Sequence, residues 1–64
     1  MKASKLRDLP KGEFIRLKDS ETAPVWVRGD YDRSSKTYSI YKYDDCNHEA
    51  FRKGGSLVYY DFTF

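Results

Sequence analysis

The chain has 64 residues, a net charge of +2 and 17% aromatic residues, with four Phe, six Tyr and one Trp. So short a chain makes one domain at most and buries only about 60% of its unfolded surface; its aromatic content excludes a disordered tail. The single Cys46 excludes an internal disulfide, and no apolar run is long enough for a signal peptide or a membrane span. Beginning with Met1, the chain reads as a complete small cytoplasmic protein that folds on packing alone or with help from a partner.

Residues 1–5 are expected to fray. Leu6 and Leu9 have helical spacing, but Pro10 stops a helix before it grows. An extended segment or a single turn that tucks both leucines under a sheet is expected instead. Pro10-Lys11-Gly12 is a turn signal, with proline presetting φ and glycine able to supply φ > 0. Glu13–Lys18 is the first clear strand, with Ile15 and Leu17 inward. Asp19-Ser20-Glu21-Thr22-Ala23-Pro24 is a polar loop closed by proline.

Val25–Tyr31 and Thr37–Tyr43 then read as two strands of one long hairpin, joined by polar turn material at Asp32–Lys36. Asp44–His48 is a second loop, rich in residues that hydrogen-bond their own backbone. Glu49–Lys53 is a short strand or one helical turn, the strand being favoured, and Gly54-Gly55 is a tight turn. Ser56–Phe64 is the last strand, with Val58, Tyr60, Phe62 and Phe64 on one core-facing side. Five antiparallel strands in a meander, curled into a small SH3-like barrel that hides its edges, is the expected fold.

A hairpin turn centred between Ser34 and Ser35 sets the faces. Tyr31 then faces Tyr38, Gly29 faces Ile40 and Val27 faces Lys42, and this side becomes core. The other side pairs Trp26 with Tyr43, Arg28 with Tyr41 and Asp30 with Ser39. A slip of one residue would break these pairings. Trp26, Arg28, Tyr41 and Tyr43 would then share an outer face. These are residue types that anchor protein interfaces and that stack single-stranded bases on small barrels. The competing expectation is that the aromatics merely favour strand structure and pack under the Asp19–Pro24 loop.

Charge is unevenly spread. Residues 1–18 hold six basic side chains against Asp8 and Glu13, whereas residues 19–64 hold six basic and eight acidic ones. The basic segment is a solvated face or a weak handle for an acidic partner. In a nucleic-acid reading, Lys2, Lys5, Arg7, Lys11 and Arg16 would contact phosphates.

Candidate chemistry is thin. Asp44-Asp45-Cys46-Asn47-His48-Glu49 holds every common metal-ligand type. A structural zinc site, however, wants four ligands in separated pairs, and a calcium loop wants spaced oxygens around a glycine. A loop rich in Asx turns is the better reading, with no metal. Cys46 and His48 lack the orienting third group and oxyanion donor of a nucleophile–base pair, so no catalytic residue, cofactor site or enzyme activity is assigned. Arg28-Gly29-Asp30 spells an adhesion tripeptide inside a strand, where Gly29 instead marks a bulge or a tight bend. The Gly54-Gly55 pair lacks the following helix of a phosphate-binding loop.

Leu6-x-Asp8-Leu9-x-x-Gly12-x-Phe14, Val25-Trp26-Val27-Arg28-Gly29-x-Tyr31-Asp32-Arg33-Ser34-Ser35-Lys36 and Asp44-Asp45-x-Asn47-His48-Glu49 together span most of the chain. In them the chain resembles a group of short bacterial proteins from gut bacteria and their mobile elements. The resemblance implies a cytosolic bacterial or phage-like origin and brings no function with it. The opening Leu6-x-Asp8-Leu9-x-x-Gly12-x-x-Ile15 is also similar to the start of many small barrel proteins. The expected role is non-catalytic binding of a protein partner, or self-association, through Trp26, Tyr41, Tyr43 and Arg28. Nucleic acid is the alternative partner, and no membrane is involved.

Overall fold

The computed structural model describes residues 1–63, with Cys46 described by its backbone alone. The fold is all-β with antiparallel sheets. Its strands are β1 (Lys2–Lys5), β2 (Phe14–Ile15), β3 (Trp26–Asp32), β4 (Thr37–Lys42), β5 (Asp45–Lys53) and β6 (Leu57–Tyr60). Strands β2-β3-β4-β5 form one sheet in chain order, and β1 pairs with β6 in a second. Among the described residues a single bridge, Arg16 to Tyr59, joins the two. The described residues therefore form six strands, not five. The last strand leaves the meander, and no closed barrel forms among the described residues.

Lys2–Lys5, expected to fray, are placed in a strand. Lys2 to Lys5 pair with Tyr60 to Leu57 in antiparallel register. The four β1 residues are mostly exposed, so their apolar pattern carries no strand signal. What holds them is backbone pairing to β6, whose free edge would otherwise stand open. The pairing continues past the strand, where the Leu6 N–H donates to Ser56 O at 2.9 Å and the Arg7 N–H to Gly54 O at 3.0 Å. Leu6–Asp8 forms a 3-10 turn that buries Leu6 fully and Leu9 almost fully, as the spacing before Pro10 implies. In the next turn Gly12 takes φ +92° and the Glu13 N–H donates to Pro10 O at 3.2 Å. A Gly in the left-handed region at the third position is what such a turn requires.

The hairpin holds the one departure that changes the surface. Near the turn the pairing is as the sequence implies, Tyr31 with Tyr38 and Asp32 with Thr37. The register then shifts between Arg28 and Tyr31, and beyond it Arg28 pairs with Ile40, Val27 with Tyr41 and Trp26 with Lys42. Gly29 and Asp30 thus oppose Ser39 alone, a β-bulge at the glycine. One extra residue on β3 moves Trp26 and Arg28 to the face of Ile40, while Val27, expected inward, takes the opposite face and is still buried. On β4 the faces stay as expected, with Ile40 fully buried.

The second loop is shorter than Asp44–His48. Only Tyr43 and Asp44 form the turn, and β5 begins at Asp45. Lys42 pairs with Asp45 while Tyr41 pairs with Glu49, so three residues, 46–48, bulge from β5. The Asx character survives there, with the Asn47 N–H donating to Asp45 Oδ1 at 3.2 Å.

Among the described residues one cluster makes up most of the core, and Val27 is buried apart from it. Leu6, Leu9, Ile15, Trp26, Ile40 and Val58 are buried together, and Leu17, Tyr38, Ala50 and Tyr60 pack against them. The inner face of the four-stranded sheet supplies Ile15, Trp26 and Ile40, and the 3-10 turn and β6 close it from the other side.

Phe62 does not extend this core. Asp61 takes φ +60°, a left-handed conformation that ends the alternation of β6. Phe62 is half-buried instead, with the Arg16 guanidinium 4.3 Å from its ring centroid. Phe64 lies outside the described residues. Phe62→Ala is therefore expected to cost about 1–2 kcal/mol by urea unfolding, near the value of a partly desolvated cation–π contact. That falls short of the roughly 3–5 kcal/mol of a core aromatic.

Candidate binding surfaces

The four aromatic and basic residues expected on one face divide between two. Trp26 is 8% exposed and belongs to the core, a correction that follows from the Gly29 bulge. Its ring meets His48 edge-on at 5.6 Å, and the Lys42 ammonium lies 5.8 Å from its centroid. Trp26 also lines an open groove of about 390 Å³ with Leu17, Ser20, Ala23 and Pro24. Trp26 thus faces the 19–24 loop across this groove.

Arg28 turns inward with it. Its guanidinium lies 4.3 Å from the Tyr38 ring centroid, and its Nη1 donates to Gly29 O at 2.8 Å. Its Nε is buried without a hydrogen-bond partner. The contact with Tyr41 expected from simple alternation is thus replaced by one with Tyr38. Because Arg28 pairs with Ile40, Tyr38 becomes its diagonal neighbour on the same face.

Tyr41 and Tyr43 do lie outside. Phe14, Val27, Tyr41 and Glu49 occupy consecutive cross-strand positions, and residues paired this way share a face. Tyr43 is 55% exposed, and its ring meets Phe14 edge-on at 5.5 Å. Phe51, opposite Ser39, continues the strip and is 51% exposed. Sequence reasoning missed Phe14 and Phe51 as surface anchors. Their signal was present in the alternation, since Ile15 inward puts Phe14 outward and Ala50 inward puts Phe51 outward.

The basic N-terminal set is likewise dispersed. Lys2 pairs with Asp61 at 3.6 Å and Lys11 with Asp30 at 2.6 Å. The second of these engages the aspartate of the Arg28-Gly29-Asp30 tripeptide, which lies in β3 at the bulge. Arg16 is 6% exposed, its guanidinium on Phe62 and its Nε without a hydrogen-bond partner. Of the five cations expected to meet phosphates, Lys5 and Arg7 stand exposed and outside any ion pair among the described residues.

No group of three or more His, Cys, Asp or Glu side chains among the described residues is placed to hold a metal ion. The side chain of Cys46 lies outside them, and the His48 ring is engaged with Trp26. Among the described residues no helix is long and apolar enough to cross a membrane. In comparisons with known proteins, no family model, no curated protein and no solved structure matches this chain.

Proposed function

We propose that the protein is a small non-catalytic interaction module, and that the outer face of the four-stranded sheet receives a protein partner. The observation that supports this is the aromatic strip of Phe14, Tyr41, Tyr43 and Phe51, with Tyr43 and Phe51 each more than half exposed. Rigid aromatics on a sheet supply large contact area at small entropic cost, which makes them interface anchors. The strip takes over the role expected for Trp26 and Arg28. The supporting sheet is read as a partly open relative of the SH3-like small barrel, on the strength of the Arg16–Tyr59 bridge between the two sheets.

The test uses the immobilised chain in a bacterial lysate, the source that the sequence resemblance suggests, together with sedimentation of the free chain. The wild type is expected to retain a protein, or to self-associate. The Tyr43→Ser/Phe51→Ser variant should lose that binding by about 30-fold or more, the loss of at least one hot spot of about 2 kcal/mol. Identical retention and sedimentation of the two proteins would overturn the reading.

A further inference from the structure

A second, chemically different surface lies at the other end of the hairpin. Arg7, Tyr31, Lys36, Tyr38, Gly54 and Gly55 line a shallow cleft of about 200 Å³. Enclosed sites for drug-sized ligands run from roughly 300 to 1,000 Å³. This cleft therefore grips one ring and its substituent and leaves the rest of a ligand in solvent.

The lining is built, not accidental. Tyr31 and Tyr38 are the in-register pair beside the turn, with ring centroids 4.7 Å apart and planes tilted by 49°. Tyr38 is held by the Arg28 guanidinium 4.3 Å from its centroid and by close approach to Gly54. A Cβ on Gly54 would lie 2.8 Å from Tyr38 Cε1 and 3.1 Å from Arg7 Cβ. That absent side chain lets the tyrosine and the arginine meet at one point. Arg7 is fixed there by its backbone bond to Gly54 O. Tyr31, by contrast, is 46% exposed.

The charge of the cleft has one sign. No carboxylate lines it, and Lys36 and Arg7 form no ion pair or side-chain hydrogen bond among the described residues. Lys36 sits at φ +57°, where a residue with a side chain is uncommon and costs about 1 kcal/mol. An exposed ring beside two uncommitted cations suits a planar base that carries a phosphate, the pairing used on single-stranded nucleic-acid surfaces.

We propose that this cleft binds a nucleotide unit, its base stacked on Tyr31 and its phosphate between Arg7 and Lys36. The unit is either free or part of a single strand. This inference does not rest on the outer-face reading, from which its surface is separate.

The test is a ¹H–¹⁵N titration of the chain, at low and at moderate salt, with three probes: an oligothymidylate, thymidine monophosphate and inorganic tripolyphosphate. The oligothymidylate or the monophosphate should shift the amides of Arg7, Tyr31, Lys36, Tyr38 and Gly54. Tighter binding of the oligomer would identify a strand as the ligand, and equal binding a free nucleotide. Tyr31→Ala should weaken binding by about 10- to 100-fold, the loss of one stacked base, while Tyr31→Phe should keep it. Arg7→Gln should lower the salt slope by about one. The inference is overturned if the cleft amides stay still at low salt, if shifts map only to the outer face, or if Tyr31→Ala binds like the wild type. Equal binding of tripolyphosphate and the nucleotides would also overturn it, because no base would then be read. The wild-type shift map decides even if a variant fails to fold.

Discussion

Trp26→Ala is expected to cost about 3–5 kcal/mol, read as a lost or steeply lowered unfolding transition by circular dichroism. The indole is 8% exposed and lies among Leu6, Leu9, Ile15, Ile40 and Val58. Removing a buried Trp or Phe costs about 3–5 kcal/mol, through lost burial and the cavity left behind. A domain of this size holds roughly 3–10 kcal/mol in total, at about 0.05–0.15 kcal/mol per residue. One substitution therefore removes from about a third of its stability to all of it. Trp26→Phe, which keeps most of the apolar volume, should retain a cooperative transition at reduced midpoint. If Trp26→Ala instead melts like the wild type, the ring lies at the surface, and β3 follows the simple alternation without a bulge.

The bulge itself has a sharper test. Gly29→Ala is expected to lose about 1–3 kcal/mol by urea unfolding, the cost of overpacking a tight site. Gly29 is buried, and a Cβ there would fall within the contact distance of Ser39 Oγ and 3.1 Å from the Ser39 carbonyl oxygen. The φ of Gly29 is not positive, so the cost is steric and not one of backbone strain. Ser39→Ala removes the nearest obstructing atom and should restore part of the loss when combined with Gly29→Ala. Contacting sites that share one obstruction are not additive. Additive effects would show that Ser39 does not face Gly29, and would remove the two-against-one arrangement on which the inward turn of Trp26 and Arg28 depends.

Much of the local structure was legible because it depends on neighbours in the chain. Pro10-Lys11-Gly12 demanded a turn, and Gly12 supplies its positive φ. The even-length polar loop set Tyr31 against Tyr38, and it does so in the structure. The alternation of β4 placed Ile40 inside and Tyr41 outside without help from its partners. The candidate site was legible only in part, and for the same reason. Tyr41 and Tyr43 belong to the strand whose alternation is unbroken. Trp26 and Arg28 lie beyond an insertion of one residue on β3, and period-two reasoning cannot cross such an insertion unless its position and side are known. Gly29 marks a bulge in the sequence, but the face of Trp26 depends on where that bulge falls against β4.

The sequence by itself determined the all-β character, the turns and the inward set of Leu6, Leu9, Ile15, Ile40 and Val58, because propensity, turn chemistry and local alternation act over a few residues. Only the tertiary structure decided the partner of the last strand, the pairing of Lys2–Lys5 and the face of Trp26. Each depends on which backbone edge is left open and how two strands slide past one another. Those quantities belong to pairs of segments distant in the chain. The cleft at Tyr31 is of the same kind, since Arg7, Lys36 and Gly54 become neighbours only when β1 and its 3-10 turn dock beside the Gly54 turn.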